Sequence, residues 1–279
     1  MPEFVGSDGE TAGPGRSDFV QSLARGLAVI RAFGGDRPTL TLSEVARLTG
    51  LTRAAARRFL LTLVELGYVR SEGREFSLRP RVLELGFAYL SGLGLDEIAA
   101  PHVEALVART RESSSIAVLD GDDIAYVIRV PTKRIMTVAI SVGTRFPAYA
   151  TSMGRVLLAS LPEDQLEEYL SRVRFTAFTR RTVSDPAVLR RVVAEVAAQG
   201  FAVVDQELED GLRSVAVPIR DARGHTMAAI NVSVHVSRAT LDVLRRSLLP
   251  QLQQTAASIS IDLQVIRINP ARPLRHEPK

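Results

Sequence analysis

Cysteine and tryptophan are absent from this chain of 279 residues, and lysine occurs only at positions 133 and 279. Without cysteine, disulfides, thiolate zinc sites and cysteine nucleophiles are excluded. No apolar run approaches the roughly 18–20 residues that a membrane-spanning helix needs. Residues 1–15 are acidic and glycine-rich and lack the basic-then-apolar order of a secretion signal. We therefore expect a cytoplasmic protein with no membrane partner.

The overall composition is that of a globular protein, with 46% hydrophobic and 24% charged residues, which excludes a disordered chain. The length suffices for two compact domains. Residues 19–81 contain eleven arginines and five acidic residues, a local charge of about +6, whereas the rest of the chain is close to neutral. A basic segment on a neutral body indicates binding to nucleic acid.

The basic segment begins with two amphipathic helices. The first is predicted over residues 19–33, where apolar residues at helical spacing form one stripe: Val20, Leu23, Leu27, Ile30 and Phe33. A capping box from Thr41 to Glu44 begins the second helix, which stops at Gly50.

A third helix and a hairpin complete the pattern of a winged helix-turn-helix in residues 19–80. Thr52 caps a helix that runs to about residue 66, and short strands on either side of Gly73 predict the hairpin. In this arrangement the N-terminal residues of the third helix enter the major groove of DNA.

The outer face of the third helix is basic. Arginine forms two hydrogen bonds with guanine O6 and N7, alanine allows close approach to thymine methyl groups, and a helix N-terminus suits a phosphate. The hairpin arginines are placed to contact the adjacent DNA backbone or minor groove. For any single arginine, the alternative is a merely solvated surface position. The candidate DNA-binding residues are Thr41, Thr52, Arg53, Ala54, Ala55, Arg57, Arg58, Arg70 and Arg74.

The rest of the chain predicts a linker and a larger domain. Residues 81–90 form an amphipathic helix within a linker of residues 81–94. In the domain that follows, residues 95–264, helices and strands mix without regular βα alternation, which indicates an α+β fold. Helices are predicted over 96–112 and 186–199 and from Met153, Glu163 and Ala239, the last being a closing pair. Strands are predicted over 115–119, 124–130, 135–140, 201–204, 214–220 and 227–234. We expect disordered tails at residues 1–18 and 265–279.

Several stretches resemble one protein family. Residues 22–33 (SLARGLAVIRAF) and 40–69 (LTLSEVARLTGLTRAAARRFLLTLVELGYV) resemble the DNA-binding domain of IclR-type transcriptional regulators. Residues 142–161 (VGTRFPAYATSMGRVLLASL) and 200–221 (GFAVVDQELEDGLRSVAVPIRD) are similar to the core and the signature segment of that family's effector domain. The resemblance covers about residues 19–264.

This resemblance implies a winged helix-turn-helix joined by a linker helix to an α/β, GAF-like effector domain. It implies operator DNA and a small organic acid as partners, no cofactor, and a homodimer, with a dimer of dimers as the alternative. Residues 126–155 are similar to the branch that controls aromatic-acid catabolism, whose effectors are protocatechuate, 4-hydroxybenzoate or β-ketoadipate. A regulator of another small carboxylic acid is the alternative.

The sequence departs from the family pattern at four positions. Val204 stands where the family usually has Asp or Ser, and Arg220 replaces a usual aromatic residue or histidine. Ala54 and Ala55 replace a hydroxylated pair in the recognition helix, which leaves the operator sequence open.

The effector site needs an apolar slot with a few convergent polar groups. Residues 151–154 (TSMG) open a helix whose free N–H groups suit a carboxylate, although Ser152 as a plain N-cap is the alternative. Asp205 or Glu207 would bind a hydroxyl, and Arg213 would either neutralise a carboxylate or form an exposed ion pair. Arg145 is a further candidate. The candidate effector-binding residues are Arg129, Arg134, Thr151, Ser152, Met153, Gly154, Asp205, Glu207, Leu212, Arg213, Ser214, Asn231 and Ser233.

Enzymatic motifs are weak in this sequence. Residues 150–154 approach the G-x-S-x-G nucleophile elbow but lack its first glycine. The four histidines, His102, His225, His235 and His276, lack zinc-binding spacing, so we predict no metal and no catalytic residue. An enzyme with an attached DNA-binding domain and an architectural DNA-binding protein without a ligand stay open as alternatives.

Overall fold

A computed structural model describes residues 19–34, 37–86, 95–132 and 140–268. The chain divides into two compact units, with the boundary between residues 88 and 89. The predicted strand over 135–140 and the candidate Arg134 lie outside the described residues, apart from position 140, which is in no strand. The end of the predicted linker and both predicted tails lie outside them as well, save residues 265–268. Those four residues, predicted to belong to a disordered tail, instead continue the last helix.

The first unit consists of three helices and a small sheet. Its elements are α1 (Gln21–Ala32), β1 (Thr39–Thr41), α2 (Leu42–Thr49), α3 (Arg53–Glu65), β2 (Val69–Glu72) and β3 (Glu75–Leu78), followed by a 3-10 turn (Pro80–Leu83). The three antiparallel strands lie in the order β1-β3-β2. The winged helix-turn-helix predicted from the sequence is confirmed. Strand β1 was not predicted, because a segment of three residues is too short to show alternation and is held by its pairing with β3.

Local signals in the sequence set the helix ends of this unit. The Thr41 side chain accepts a hydrogen bond from the Glu44 backbone N–H, and a Glu44 carboxylate oxygen accepts one from the Thr41 N–H at 2.8 Å. This is the capping box that the sequence predicts. Gly50 adopts the left-handed conformation that ends α2, with φ of 66°. The Thr52 hydroxyl accepts from the Ala55 N–H at 3.2 Å and so caps α3.

Only part of the apolar stripe of α1 enters the core of its unit. Of the predicted stripe, Phe33 is buried and Ile30 is half-buried, whereas Val20, Leu23 and Leu27 are 60%, 63% and 47% exposed. Val29, which lies outside the predicted stripe, is fully buried. Within its own unit, α1 therefore presents an exposed apolar strip that no described residue of that unit covers.

The second unit has six strands and six helices in its described part. The helices are α4 (Leu95–Thr110), α5 (Ser152–Leu158), α6 (Glu163–Arg172), α7 (Pro186–Gln199), α8 (Leu241–Val243) and α9 (Leu249–Ile268). The strands are β4 (Ser113–Asp120), β5 (Asp123–Val130), β6 (Arg145–Pro147), β7 (Ala202–Asp205), β8 (Leu212–Arg220) and β9 (Thr226–His235). A π-helical segment (Leu244–Leu248) joins α8 to α9, so the predicted pair of closing helices is one continuous helical run.

All six strands form one antiparallel sheet in the order β6-β5-β4-β9-β8-β7. Its two faces have separate cores. The α4–α9 core packs the first and last helices of the unit against residues such as Ile230 and Val232. The α5–α7 core packs the three middle helices against the opposite face, where Ala216 and Ala229 leave room. The α+β class predicted from the sequence is confirmed, with a helix layer on each face. In the part of the chain that is described, no helix is long and apolar enough to cross a membrane.

Candidate DNA-binding surface and effector cavity

The N-terminal part of α3 presents unpaired cations to solvent. Arg53, Arg57 and Arg58 are exposed, and none of them forms an ion pair with a described residue. Ala54 is exposed beside them, whereas Ala55 is half-buried. Arginines that face water with no acidic partner are available for a polyanion, as the helix-turn-helix geometry requires.

The β2–β3 hairpin, which is the wing of this unit, contributes a second set of arginines, one of which has an acidic partner. The Arg70 guanidinium donates to the Ser77 hydroxyl at 2.8 Å and lies 3.2 Å from a Glu72 carboxylate oxygen. Arg74 is exposed at the hairpin tip, next to Gly73, whose φ of 62° makes the turn. Arg74 is therefore freer to reach DNA than Arg70. The side-chain oxygens of Thr41 and Thr52 accept hydrogen bonds from backbone N–H groups and cap α2 and α3, so both are already engaged within the protein.

A small cavity lies between α5 and the sheet in the second unit. Its volume is about 20 Å³, enough for about one water molecule, so a larger ligand would enter only if the walls moved apart. Seven of the residues that the sequence singled out line it: Thr151, Ser152, Met153, Leu212, Ser214, Asn231 and Ser233. The other lining residues, which sequence reasoning missed, are Tyr126, Ala150, Val204 and Leu208. The structure thus brings together residues that are separated by more than 80 positions in the sequence.

The sheet forms a polar floor under this cavity. Asn231 and Ser233 alternate with Ile230 and Val232, which belong to the opposite core, so both polar residues point towards α5. Ser233 pairs with Ser214 across β8 and β9. The Asn231 side chain accepts from the Ser115 N–H at 3.0 Å and donates to the Ser233 hydroxyl at 3.0 Å. The floor is therefore a fixed network with hydroxyl groups at its surface.

Ser152 supplies the clearest unsatisfied group at the cavity. Thr151, and not Ser152, is the N-cap of α5, because the Thr151 hydroxyl accepts from the Gly154 N–H at 3.0 Å. Ser152 is 1% exposed, and its hydroxyl has no hydrogen-bond partner among the described residues. A buried hydroxyl without a partner costs about 1–3 kcal/mol, so a ligand oxygen at this position would recover that free energy.

The candidate acids and Arg213 do not line the cavity. Both oxygens of Glu207 are held by the Arg155 guanidinium, at 2.8 and 2.5 Å. Asp205 accepts from Arg213 at 2.5 Å, and Arg213 also donates to the Ala239 carbonyl at 2.9 Å. The hydrogen-bonding groups of these side chains are therefore taken up by one another. The side chains lie around the cavity and do not line it.

Three further candidates are also not among the residues that line the cavity. Gly154 packs against Ala148, where a Cβ would overlap the Ala148 backbone. Arg145 forms ion pairs with Asp120 and Asp123. Arg129 is half-buried and donates to the Ser115 hydroxyl at 3.2 Å. Among the described residues, no group of three or more His, Asp or Glu could hold a metal ion.

The missed lining residues are mostly apolar, and strand alternation is a signal that could have found Val204 but not Leu208 or Ala150, which lie outside strands. Val204 follows the same two-residue period as Ala202, which is buried, and Leu208 lies in the loop between β7 and β8. Tyr126 is buried, and burial raises its pKa to about 12. Its phenol therefore stays protonated at neutral pH.

Two family descriptions match this chain. Residues 22–73 match the IclR helix-turn-helix domain, and residues 87–261 match the C-terminal domain of the bacterial transcriptional regulator IclR. The chain belongs to the IclR family. Its two units are thus a helix-turn-helix DNA-binding domain and an effector-binding domain, in the order that the sequence predicts.

Relatives within the IclR family are similar over most of their length. The Pca regulon regulatory protein of Pseudomonas putida is 50% identical over 239 residues, which cover 85% of this chain and 82% of that protein. The p-hydroxybenzoate hydroxylase transcriptional activator of Acinetobacter baylyi is 35% identical, with 86% and 90% covered. A crystal structure of an IclR homolog from Microbacterium hydrocarbonoxydans, complexed with 4-hydroxybenzoate, has a TM-score of 0.77 at 29% identity, with 87% and 99% covered.

Proposed function

We propose that this IclR-family regulator binds a hydroxylated aromatic acid in the α5 cavity and thereby controls genes of aromatic-acid catabolism. The observation that carries the proposal is the buried, unpartnered Ser152 hydroxyl at a cavity with a polar floor. The pathway is inferred from the names of the relatives, which refer to the pca regulon and to p-hydroxybenzoate hydroxylase. Protocatechuate, 4-hydroxybenzoate and β-ketoadipate are the effectors we expect.

The lining suits a planar ring with polar substituents. Tyr126, Met153, Leu208 and Leu212 supply apolar surface, while the hydroxyl groups of the floor supply hydrogen bonds. Val204, at a position where the family usually has an acid or a serine, adds apolar surface where a ring would lie. The relative with 4-hydroxybenzoate bound supports the same class of ligand.

For the DNA-binding step, we propose a homodimer formed through the exposed strip of α1 and the linker, with two such dimers pairing into a dimer of dimers. A dimer would place two α3 helices about one helical turn apart on a near-palindromic operator. The two DNA-binding domains of such a dimer would have two relative arrangements, one of which binds the operator more tightly. The effector would change operator affinity because it binds the protein more tightly in one arrangement than in the other. The protein would then act in the cytoplasm, where the bacterial chromosome lies, and would be a regulator and not an enzyme, as its relatives are named.

Ligand-induced stabilisation tests this proposal directly. Full-length protein would be heated with protocatechuate, 4-hydroxybenzoate, β-ketoadipate or the non-aromatic acid succinate. An effector present at about 100 times its Kd should stabilise the folded state by about 2.7 kcal/mol and raise the Tm. Ser152→Ala should weaken binding of the effector. Ser171→Ala should not, because the exposed Ser171 hydroxyl donates to the Glu168 carbonyl and has no other partner in the part of the chain that is described.

The outcomes separate the candidate functions. A rise in Tm with succinate alone would assign the protein to another carboxylic-acid pathway. If none of these acids raised the Tm, or if Ser152→Ala bound them as tightly as the wild type, the cavity would not be the effector site.

A further inference from the structure

We infer that Arg129 binds the carboxylate of the effector and so makes this cavity select anions over neutral ligands of the same shape. The inference rests on the proposed function of the cavity and assigns a role within it to a residue that does not line the empty space.

Strand register places Arg129 on the cavity side of the sheet. Arg129 of β5 lies opposite Ser115 of β4, and Ser115 lies opposite Asn231 of β9. Directly opposed residues of antiparallel strands project from the same face. Because Asn231 lines the cavity, the Arg129 side chain leaves the sheet on that side.

A β-bulge puts Tyr126 on that face as well. The pairing of β4 with β5 shifts between Ile116 and Ala117, which leaves Val127 as an extra residue. Tyr126 and Arg129 are three positions apart and would point to opposite faces of a regular strand, yet here they share one. The guanidinium therefore stands beside a residue of the cavity wall, close enough for the two groups to interact electrostatically.

Hydrogen bonds connect Arg129 to the cavity floor. Its Nη1 donates to the Ser115 hydroxyl at 3.2 Å, and the Ser115 N–H donates to the Asn231 side chain at 3.0 Å. A guanidinium has five N–H donors, and this is the one that has a partner among the described residues. The remaining donors, which have no partner among the described residues, can form the paired hydrogen bonds that a carboxylate accepts.

The charge of Arg129 is incompletely solvated. The side chain is half-buried, and burial lowers its pKa, while no described carboxylate pairs with it. A cation in this condition gains more from an incoming anion than a cation in water does.

The other arginines near the cavity already have acidic partners. Arg155 is paired with Glu207, Arg213 and Arg181 with Asp205, and Arg145 with Asp120 and Asp123. Within the described part of the chain, Arg129 is thus the arginine on the cavity face that has no carboxylate as an ion-pair partner. The carboxylate of a ligand would be that partner.

Binding of an acid and of its neutral amide tests the inference. The Kd values of 4-hydroxybenzoate and 4-hydroxybenzamide would be measured by calorimetry with full-length wild type, Arg129→Gln, Arg129→Lys and the control Arg145→Gln. The wild type and Arg145→Gln should prefer the acid. Arg129→Gln should lose about 10- to 100-fold in affinity for the acid and little for the amide, and Arg129→Lys should keep part of the preference.

Each outcome bears on the inference. Equal affinities of the wild type for acid and amide would overturn it, and this measurement does not depend on whether a variant folds. An equal loss for both ligands in Arg129→Gln would also overturn it, because that result indicates a structural role. If the wild type bound neither this acid nor any other of the panel above, the proposed function itself would fail, and the inference would fall with it.

Discussion

The Arg155 guanidinium and the Glu207 carboxylate form a two-point ion pair in the interior of the effector domain, with side chains only 3% and 10% exposed. Arg155 also donates to the Tyr149 carbonyl at 3.0 Å, and Glu207 accepts from the Val183 N–H at 3.0 Å. The pair therefore ties α5, which carries Ser152 and Met153, to the loop that carries Leu208. It thus connects two walls of the cavity.

Breaking this pair should destabilise the effector domain strongly. Arg155→Met or Glu207→Gln leaves a buried group without its partner, which typically costs about 3–5 kcal/mol of unfolding free energy. Urea denaturation of each variant measures the loss. Asp242→Asn, which breaks an exposed pair with Arg246, is the control and should leave the midpoint unchanged. A Glu207→Gln midpoint equal to that of the control would mean that the pair does not hold the domain together.

Adding a methyl group at Gly154 should disrupt the start of α5. The new Cβ would overlap the Ala148 backbone, which cannot move aside as a flexible side chain would. We expect Gly154→Ala to lose at least about 1–3 kcal/mol, as overpacked cores do, and to lower the Tm. Gly26→Ala adds the same methyl group within α1, where its nearest neighbour is Phe59 at 3.8 Å. That variant should not lose stability, so a similar loss in both would contradict the packing argument.

Removing cations from α3 should weaken operator binding. Arg53→Ala or Arg57→Ala should each cost about 1–3 kcal/mol of binding free energy and relax the base preference, because a guanidinium on a base edge carries specificity. Fluorescence anisotropy with an operator fragment at several salt concentrations gives both the affinity and its salt dependence. Arg190→Ala, on α7 of the effector domain, serves as the control and should bind as the wild type does. If both α3 variants bound the operator as tightly as the wild type, the base-contacting surface would lie elsewhere in the protein.

A charge in the exposed strip of α1 should dissociate the proposed dimer. Leu23 and Leu27 are 63% and 47% exposed on one side of the helix, and burying them in a dimer would remove apolar area from water. In sedimentation velocity, Leu23→Glu should shift the protein to a smaller species. Arg25→Glu introduces an acid on another side of the same helix and should leave the assembly intact. An unchanged assembly in Leu23→Glu would exclude α1 from the interface.

Glu112 should make stability depend on pH in an unusual direction. Its carboxylate is buried, one oxygen has no partner among the described residues, and desolvation raises its pKa despite the nearby Arg238. The folded state thus binds the proton more tightly than the unfolded state, so this group's contribution to stability falls as pH rises through the raised pKa. Glu112→Gln should therefore gain stability relative to the wild type at pH about 8 and lose that gain at pH about 4. Glu163→Gln, at an exposed carboxylate, is the comparison, and a gain in Glu112→Gln that did not change with pH would contradict the assignment.

The local features of this protein were readable from its sequence. Capping at Thr41 and Thr52, the left-handed Gly50 and the limits of α7 at Pro186 and Gln199 depend on neighbouring residues alone, and each lies where the sequence placed it. The basic outer face of α3 was likewise visible, because helical periodicity separates inward from outward residues whatever the helix packs against.

The cavity was decided by tertiary contacts. Whether Asn231 points to α5 or to α9 depends on which helices cover each face of the sheet, and the partners of Glu207 and Arg213 come from segments far away in sequence. The bulge that brings Tyr126 and Arg129 to one face is a mismatch between two strands, so neither strand alone encodes it. Sequence therefore determined most of the longer helices and strands and the class of chemistry, whereas only long-range packing fixed the short strand β1 and determined which polar groups were left without a partner among the described residues.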